Sequence, residues 1–229
     1  HSGGSRECRG VCTDPFRMIE LLNTDCMSYM ATLPDKAFSL AIVDPPYGIG
    51  EFTRTTSRGK KVKRSYKRVK WNDETPANEY FIELERVSVD RIIWGANYYN
   101  AFETGALVWD KGNNHPDMSR CELASLSMRR TVEYLYLFNA GFTEKDRIHP
   151  CQKPVALYRW LLKNYAKPGD KILDTHGGSM SIAIACDIEG FDLTLCEIDA
   201  DYFAAASKRL KDHQSAPRLF APDAAPIAE

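Results

Sequence analysis

The sequence lacks any apolar run long enough to cross a lipid bilayer, although 44% of its 229 residues are hydrophobic. Residues 1–17 also lack the apolar stretch of a secretory signal, so we expect a disordered extension or residues foreign to the natural protein there. The seven cysteines are odd in number and scattered, which favours buried thiols in a reducing compartment over a disulfide framework. Cys8 and Cys12 have no second pair and no nearby histidine, so we predict no metal site. These absences indicate a soluble globular protein.

Acidic residues are absent from residues 53–70, where positive charge is concentrated. The nine basic residues of this segment leave the rest of the chain with a net charge of −10, since the whole chain carries −1. A basic segment beside an acidic body indicates a polyanionic partner, and Tyr66 and Trp71 add rings as nucleic-acid grooves do. A solvated flexible loop is the alternative. The predicted nucleic-acid-binding residues are Arg54, Arg58, Lys60, Lys61, Lys63, Arg64, Lys67, Arg68 and Lys70.

Strand-like and helix-like segments alternate along the chain, with no internal repeat and no interior linker. This alternation predicts a single α/β domain over residues 18–214, with a largely parallel sheet and helices on both faces. We expect the Ala- and Pro-rich residues 215–229 to form a loose tail. The seven predicted strands are Ile19–Leu22, Phe38–Val43, Arg91–Gly95, Ala106–Trp109, Val132–Phe138, Lys171–Asp174 and Leu193–Glu197. The predicted helices are Ser28–Leu33, Asn78–Val87, Pro154–Tyr165, Ser181–Ile188 and Asp201–Lys211.

The tetrapeptide Asp44-Pro45-Pro46-Tyr47 follows the apolar run Phe38–Val43. Proline lacks the N–H that a β-ladder needs, so the strand must end there. A carboxylate, carbonyl groups and an aromatic ring are then held at the carboxyl end of a strand, where open α/β sheets bind ligands. Such a cluster suits a flat ring with an amino group, which Tyr47 stacks on and Asp44 and a proline carbonyl accept hydrogen bonds from. An ordinary turn is the alternative.

A second cluster follows the strand Lys171–Asp174, where a Gly-rich turn leads into a helix. Glycines let the backbone approach a ligand closely, and the helix start offers free N–H groups. Glu197, about twenty residues further on, ends the next strand and can accept the hydroxyls of a ribose. The turn is neither G-x-G-x-x-G nor a Walker loop, so NAD and ATP fit poorly. The pattern favours another nucleoside cofactor, or an ordinary turn beside a solvent-facing glutamate.

From about Leu21 to Leu210, the chain resembles the S-adenosylmethionine-dependent DNA amino-methyltransferases of the permuted β group. The resemblance is carried by the Asp44–Tyr47 tetrapeptide, by His149-Pro150-Cys151-Gln152-Lys153-Pro154 (the family's H-P-x-Q-K-P), and by the turn Asp174–Ser179. It implies a Rossmann-like methyltransferase fold whose motifs are circularly permuted. It also implies a small bacterial or phage enzyme of the cytoplasm without a separate recognition domain, since only Asn139–Ile148 separates the last predicted strand from H-P-x-Q-K-P.

The resemblance also implies roles for individual residues. Asp44, Pro45, Pro46 and Tyr47 would form the catalytic motif, and Trp94–Tyr99 resembles a strand-end motif near the target pocket. The cofactor, S-adenosylmethionine, would contact Asp25, Cys26, Asp44, His149, Gln152, Lys153, Asp174, His176, Gly177, Gly178, Ser179 and Glu197.

The turn departs from the family pattern D-P-F-x-G-S-G-T. Thr175 replaces proline, His176 replaces phenylalanine, and Met180 replaces the second glycine. We predict His176 to be a hydrogen-bonded, partly buried side chain rather than a catalytic one. Lys153 would pair with the cofactor carboxylate or simply start a helix at the surface. Cys151 would be a bystander, because methylation of an amine needs no cysteine nucleophile.

The resemblance favours transfer of a methyl group to adenine N6 in DNA, on a base flipped out of the duplex. Serine in place of Asp44 is commoner in the cytosine enzymes, so cytosine N4 is the second choice. RNA as substrate and a non-catalytic nucleic-acid-binding protein of the same fold also remain open. A protein-glutamine methyltransferase fits less well, because the order of motifs and the basic segment argue against it. We expect DNA as partner, no membrane contact, and possible pairing into a homodimer.

Overall fold

The computed structural model describes residues 18–50, 73–112, 119–138 and 147–216. The predicted basic segment, residues 53–70, lies outside the described residues, as do residues 1–17 and residues 217–229 of the predicted tail. In the described part the strands are β1 (Ile19–Leu22), β2 (Phe38–Val43), β3 (Ser88–Trp94), β4 (Gly105–Asp110), β5 (Cys121–Leu126), β6 (Val132–Tyr136), β7 (Lys171–Asp174) and β8 (Asp192–Cys196). The helices are α1 (Cys26–Met30), α2 (Asn78–Val87), α3 (Ala96–Tyr99), α4 (Val155–Tyr165), α5 (Ser181–Glu189) and α6 (Ala200–Ser215).

The described strands form one sheet in the order β1-β8-β7-β2-β3-β5-β4-β6, and among them only β5 runs antiparallel to its neighbours. The predicted α/β fold with a mostly parallel sheet is confirmed, and each of the seven predicted strands is present. The predicted number of seven is corrected to eight by β5. Its sequence, CELASL, contains no β-branched or aromatic residue, so it carries no strand signal.

Helices cover both faces of the central strands, because successive strand residues point to opposite sides. In β2, Leu40 and Ile42 belong to a core built with α4, α5 and α6, which contribute residues such as Leu161. Ala41 and Val43 belong to a second core built with α1 and α2, which contributes Leu84. A strand buried on both faces reads as a continuous apolar run, which explains why β2 was recognisable in the sequence.

The chain order of the strands reverses between β7 and β2, which lie side by side and parallel in the middle of the sheet. From β7 the chain runs through α5 to β8 on one side, and from β2 through α2 to β3 on the other. Such a switch point leaves a crevice at the carboxyl ends of the two strands. The tetrapeptide Asp44–Tyr47 and the turn Asp174–Ser179 are therefore brought to one crevice, although about 130 residues separate them in sequence.

Candidate active site

The carboxylate of Asp44 is held at the end of β2 by one donor on each oxygen. The hydroxyl of Tyr47 donates to Oδ1 over 2.6 Å, and the ammonium of Lys153 donates to Oδ2 over 2.5 Å. Burial raises the pKa of Asp44, while the positive charge of Lys153 opposes that rise. The result is an oriented acceptor in a place largely withdrawn from water.

Lys153 joins the catalytic motif to a second carboxylate. Its side chain is 5% exposed, and its ammonium lies 3.1 Å from Oε2 of Glu122 on β5. The other oxygen of Glu122 accepts a hydrogen bond from Lys111 over 3.1 Å. Burial alone would lower the pKa of Lys153, but Asp44 and Glu122 outweigh it and raise the pKa, so the ammonium stays charged.

The position of Lys153 differs from the pairing with a cofactor carboxylate that we expected. Its ammonium is engaged by two protein carboxylates instead. Sequence reasoning also missed Glu122, because β5 was not predicted, and it missed Lys111, which directly follows β4. The only signal in the sequence was a glutamate in an otherwise uncharged six-residue segment, which is weak.

The ring of Tyr47 packs against the turn that follows β3. Gly95 has a φ of 74°, and a Cβ atom on it would lie 2.3 Å from Cε1 of Tyr47, so only glycine fits at this position. Tyr98 stacks on Tyr47, with ring centroids 4.8 Å apart and an interplanar angle of 12°. Tyr99 donates from its hydroxyl to the carbonyl of Pro45 over 2.5 Å. The predicted target-pocket motif Trp94–Tyr99 thus contacts the tetrapeptide directly.

The Gly-rich turn after β7 is built around a buried acid. Asp174 is 3% exposed and accepts a hydrogen bond from the N–H of His176 over 3.0 Å. Burial raises the pKa of Asp174 to about 7. Gly177 packs so closely on β8 that a Cβ atom would lie 2.3 Å from Cδ2 of Leu195. The conformation of the turn therefore depends on the carboxylate of Asp174 and on the absence of a side chain at Gly177.

The two replacements at Thr175 and His176 are connected by one chain of hydrogen bonds. The hydroxyls of Tyr80 and Thr175 lie 2.6 Å apart, and Oγ1 of Thr175 lies 2.9 Å from Nδ1 of His176. The His176 ring also meets Tyr80 edge to face at 5.4 Å. Burial lowers the pKa of His176 to about 4, so the imidazole is neutral at pH 7. This is the satisfied, partly buried histidine that the sequence predicts.

Met180 occupies the place of the second family glycine and shows why glycine suits it. Its φ of 53° puts the backbone in the left-handed region at the start of α5. A side chain there costs about 1–2 kcal/mol. The Met180 side chain is fully buried in the core that α4, α5 and α6 share with the sheet. Burial of an apolar side chain offsets the strain, since it contributes about 1.5–3 kcal/mol.

Glu197 lies directly behind the turn. Its oxygens accept the N–H groups of Gly178, over 2.7 Å, and of Asp199, over 2.8 Å. The carboxylate of Glu197 is thus held by backbone N–H groups of the turn and of the segment that follows β8. Asn23, at the end of β1, donates to the Glu197 carbonyl over 2.7 Å. The segment Asn23–Cys26 and Glu197 therefore lie side by side.

Several predicted site residues have structural partners in this arrangement. Asp25 is the N-cap of α1 and accepts the N–H of Ser28 over 2.8 Å. Cys26 is buried, which raises the pKa of its thiol to about 12. Ser179 is buried, with its hydroxyl 3.1 Å from that of Ser181.

The H-P-x-Q-K-P segment folds tightly before α4. Gln152 is 3% exposed and accepts the N–H of Ile148 over 3.2 Å. The Nδ1 atom of His149 accepts the N–H of Cys151 over 3.2 Å, and burial lowers the histidine pKa to about 3. Cys151 is exposed, and its pKa is raised to about 11, with desolvation as the main cause, so the thiol is protonated at neutral pH.

One pocket unites the two clusters. It is lined by Asp44, Pro45, Pro46 and Tyr47, by His149, Cys151, Lys153 and Tyr158, and by His176, Gly177, Gly178 and Ser179. Residues of three distant segments thus meet at the switch point of the sheet. Asp25, Cys26, Gln152, Asp174 and Glu197 are not among the lining residues. In the part of the chain that the structure describes, no helix is long and apolar enough to cross a membrane.

This sheet, with an acid-bearing turn after one central strand and a Gly-rich turn after its neighbour, has the fold of the class I methyltransferases. Three solved structures share it. PvuII DNA methyltransferase (cytosine-N4-specific) is 12% identical with a TM-score of 0.58, over 86% of this chain and 92% of that one. The M1.HpyAVI–SAM complex is 17% identical with a TM-score of 0.53, over 84% of this chain and 100% of that one. TTHA0409 from Thermus thermophilus, complexed with S-adenosyl-L-methionine, is 16% identical with a TM-score of 0.52, over 86% of this chain and 97% of that one.

Sequence comparisons also match DNA methylases. Residues 108–208 match the DNA methylase family of N6 and N4 methyltransferases. The putative methylase YubD of Escherichia coli (strain K12) is 25% identical over 223 residues, covering 87% of this chain and 93% of that protein. The family match confirms the resemblance that the motifs indicated, and the solved structures confirm the fold. The match begins in β4, so the tetrapeptide after β2 is an independent observation.

Proposed function

We propose that this protein transfers the methyl group of S-adenosylmethionine to the exocyclic N6 of adenine in DNA. One observation carries the proposal: the carboxylate of Asp44 and the Gly-rich turn line the same pocket, at the switch point of the sheet. An acceptor for an amino group therefore faces a turn suited to a nucleoside. Bringing an amine and a methyl donor into one oriented complex is the main task of such an enzyme.

The residues around the turn fit S-adenosylmethionine. Glu197 holds the turn through the N–H of Gly178 and would accept the ribose hydroxyls, while Gly177 and Gly178 line the pocket that Asp44 also lines. Asp174 is a buried acid whose pKa of about 7 would fall when a cationic ligand binds nearby. When bound, the cofactor supplies an activated sulfonium methyl group.

Asp44 has the geometry to receive the target amine. Its two oxygens are oriented by Tyr47 and Lys153, and each can accept one more hydrogen bond. The Pro45 carbonyl accepts from Tyr99 and likewise has a second acceptor position. Hydrogen bonds from the amino group to Asp44 and Pro45 would hold its nitrogen in line for transfer. The methylated nitrogen is acidic, so no stronger base than Asp44 is needed to take the proton.

Cytosine N4 is the second candidate for the target. The PvuII enzyme is cytosine-N4-specific and has the same fold, so the fold does not choose between the two amines. The aspartate at position 44 favours adenine, because the resemblance links serine at that place with the cytosine enzymes. RNA would present the same amines, and it is distinguished from DNA only by assay.

The identity of the product decides the proposal. Plasmid DNA and a matched RNA are incubated with the protein and S-adenosylmethionine, and nucleosides are then analysed by mass spectrometry. We expect N6-methyladenine from DNA, and N4-methylcytosine instead would establish the second candidate. Asp44→Ala should lower the rate about 10²–10⁴-fold with little change in cofactor affinity. Asp212→Ala, an exposed site on α6, is the matched control. No methylated base with either nucleic acid would refute the proposal.

The basic segment, residues 53–70, would bind the phosphates of the DNA and compensate for the lack of a separate recognition domain. Replacing Lys60, Lys61, Lys63, Arg64 and Lys67 by glutamine should weaken DNA binding and flatten its dependence on salt concentration. Unchanged affinity and unchanged salt dependence would contradict this role. A homodimer and a cytoplasmic location also remain part of the proposal, and sedimentation of the protein with and without DNA tests the former.

A further inference from the structure

The second carboxylate at the catalytic motif has no role in the mechanism described so far. Glu122 lies opposite Trp109 in the antiparallel pairing of β4 with β5, with its side chain 24% exposed. Its Oε2 is 3.1 Å from Nζ of Lys153, and the same nitrogen is 2.5 Å from Oδ2 of Asp44. A single buried ammonium therefore bridges two carboxylates.

One carboxylate would already neutralise Lys153, so the second changes the net charge of the cluster. Asp44, Lys153, Glu122 and Lys111 form a cluster of two carboxylates and two ammonium groups with a net charge of zero, in which Lys111 donates to the far oxygen of Glu122. The ammonium also lies 5.3 Å from the centre of the Trp94 ring, which closes one side of the cluster against water. In surroundings of low polarity, the charge of Glu122 acts on Asp44 more strongly than it would in solvent.

We propose that Glu122 is a positioning residue for methyl transfer, which acts on Asp44 through Lys153. By sharing the ammonium, Glu122 leaves Asp44 free to accept the target amine. It also keeps the cluster neutral while that nitrogen becomes positive. Without Glu122, the ammonium groups of Lys153 and Lys111 would have Asp44 as their one carboxylate, and the site would be positive where positive charge develops. The inference rests on the proposed function and deepens it.

The first test is Glu122→Gln, which keeps the size and shape of the side chain and removes its charge. We expect kcat to fall about 10- to 100-fold, while the Kd of S-adenosylmethionine from calorimetry changes less than threefold. The acid limb of the kcat–pH profile should move down by about one pH unit, because Asp44 then keeps Lys153 to itself. A purely structural ion pair would not move that limb. Glu79→Gln, an exposed site on α2, is the control and should leave kcat and its pH profile unchanged.

The second test uses the background Lys153→Met. Without the ammonium the two carboxylates repel each other, so removing the charge of Glu122 should raise kcat there rather than lower it. If Glu122→Gln lowers kcat by the same factor in both backgrounds, Glu122 does not act through Lys153 and the proposal is wrong. If Glu122→Gln alone does not fold, the double variant is compared with Lys153→Met directly, and a kcat no higher than that of Lys153→Met would overturn the proposal.

The outcomes separate this inference from the proposed function. A wild-type protein that methylates DNA, combined with an unchanged Glu122→Gln variant, would overturn the role of Glu122 alone. A wild-type protein that methylates neither DNA nor RNA would overturn the proposed function and this inference with it.

Discussion

The buried acid of the Gly-rich turn makes the stability of this protein depend on pH in a way that one substitution removes. Asp174 is 3% exposed, and burial raises its pKa from 3.8 to about 7. The folded protein therefore binds a proton at this carboxyl more tightly than the unfolded chain does. Stability associated with the protonated form is present below pH 3.8 and is lost as the pH rises through 7.

The size of the effect follows from the two pKa values. The reference is the protein at low pH, where Asp174 is protonated in both the folded and the unfolded state. Relative to that reference, the free energy of unfolding is lower by about 1.5 kcal/mol at pH 5 and by about 4 kcal/mol at pH 8, at about 1.4 kcal/mol per pKa unit. Asp174→Asn does not ionise, and its carbonyl oxygen can still accept the N–H of His176. The new amide N–H groups cost about 1–3 kcal/mol where they find no partner, but that cost is the same at every pH. The advantage of the variant over the wild type should therefore grow by about 2.5 kcal/mol from pH 5 to pH 8.

Urea unfolding followed by circular dichroism at pH 5, 6, 7 and 8 measures this difference directly. Asp212→Asn removes a 62% exposed carboxylate on α6 and serves as control, with a change below about 0.5 kcal/mol over the same range. The free energy of unfolding of Asp174→Asn is compared with that of the wild type at each pH. If this difference changes by less than about 0.5 kcal/mol between pH 5 and pH 8, the pKa of Asp174 is not raised as the structure requires. S-adenosylmethionine should also bind the wild type more tightly as the pH rises to 7, because its positive charge favours the ionised acid.

Three further predictions concern the packing of the site, at Gly95, Met180 and Tyr47. Gly95→Ala should destabilise the protein by about 2–4 kcal/mol and lower kcat, because backbone strain and a clash with Tyr47 add together. Gly169→Ala has the same strain at a φ of 89° with no atom within 4 Å, so equal effects of the two in urea unfolding would exclude the clash. Met180→Gly should lose about 1–3 kcal/mol of unfolding free energy despite relief of its φ, and a more stable variant would contradict this. Tyr47→Phe keeps the ring, and its kcat should be about 10-fold higher than that of Tyr47→Ala, since stacking on the ring is worth about 1–3 kcal/mol. Equal losses of kcat in the two variants would show that the hydroxyl, not the ring, is what matters.

The sequence predicts best those elements whose buried residues form a continuous apolar run or a regular helical pattern. β2 and β7 are short apolar runs bounded by a turn signal, and helix α4 follows a proline. β5 has no such pattern, since it is held by its neighbours β3 and β4 rather than by its own composition. Because β5 was not predicted, Glu122 was not recognised as a site residue. The role of a charged residue on a strand depends on which strands and side chains lie beside it.

The motifs predict which residues meet but not how each is engaged. Asp44 and Tyr47 are three residues apart, and a bond between them could be expected from proximity. Lys153 reaches Asp44 across 109 residues of sequence, which only the pairing of β7 with β2 determines. Thr175 and His176 appeared as two separate departures from the family turn. In the structure they form one hydrogen-bonded unit with Tyr80, a residue that no motif includes.

The permuted order of the motifs is physically coherent because the active site depends on neighbouring strands and not on chain order. Asp44 ends β2 and the Gly-rich turn follows β7, and these strands pair directly whichever comes first in sequence. What must remain fixed is the connection that enters β7, since the segment before α4 carries Lys153 into the crevice. The H-P-x-Q-K-P segment thereby contacts both clusters, since Lys153 bonds to Asp44 and a Cβ atom on Gly178 would lie 3.6 Å from the ring of His149. A change in how α4 starts should therefore disturb Asp44 and the turn Asp174–Ser179 together.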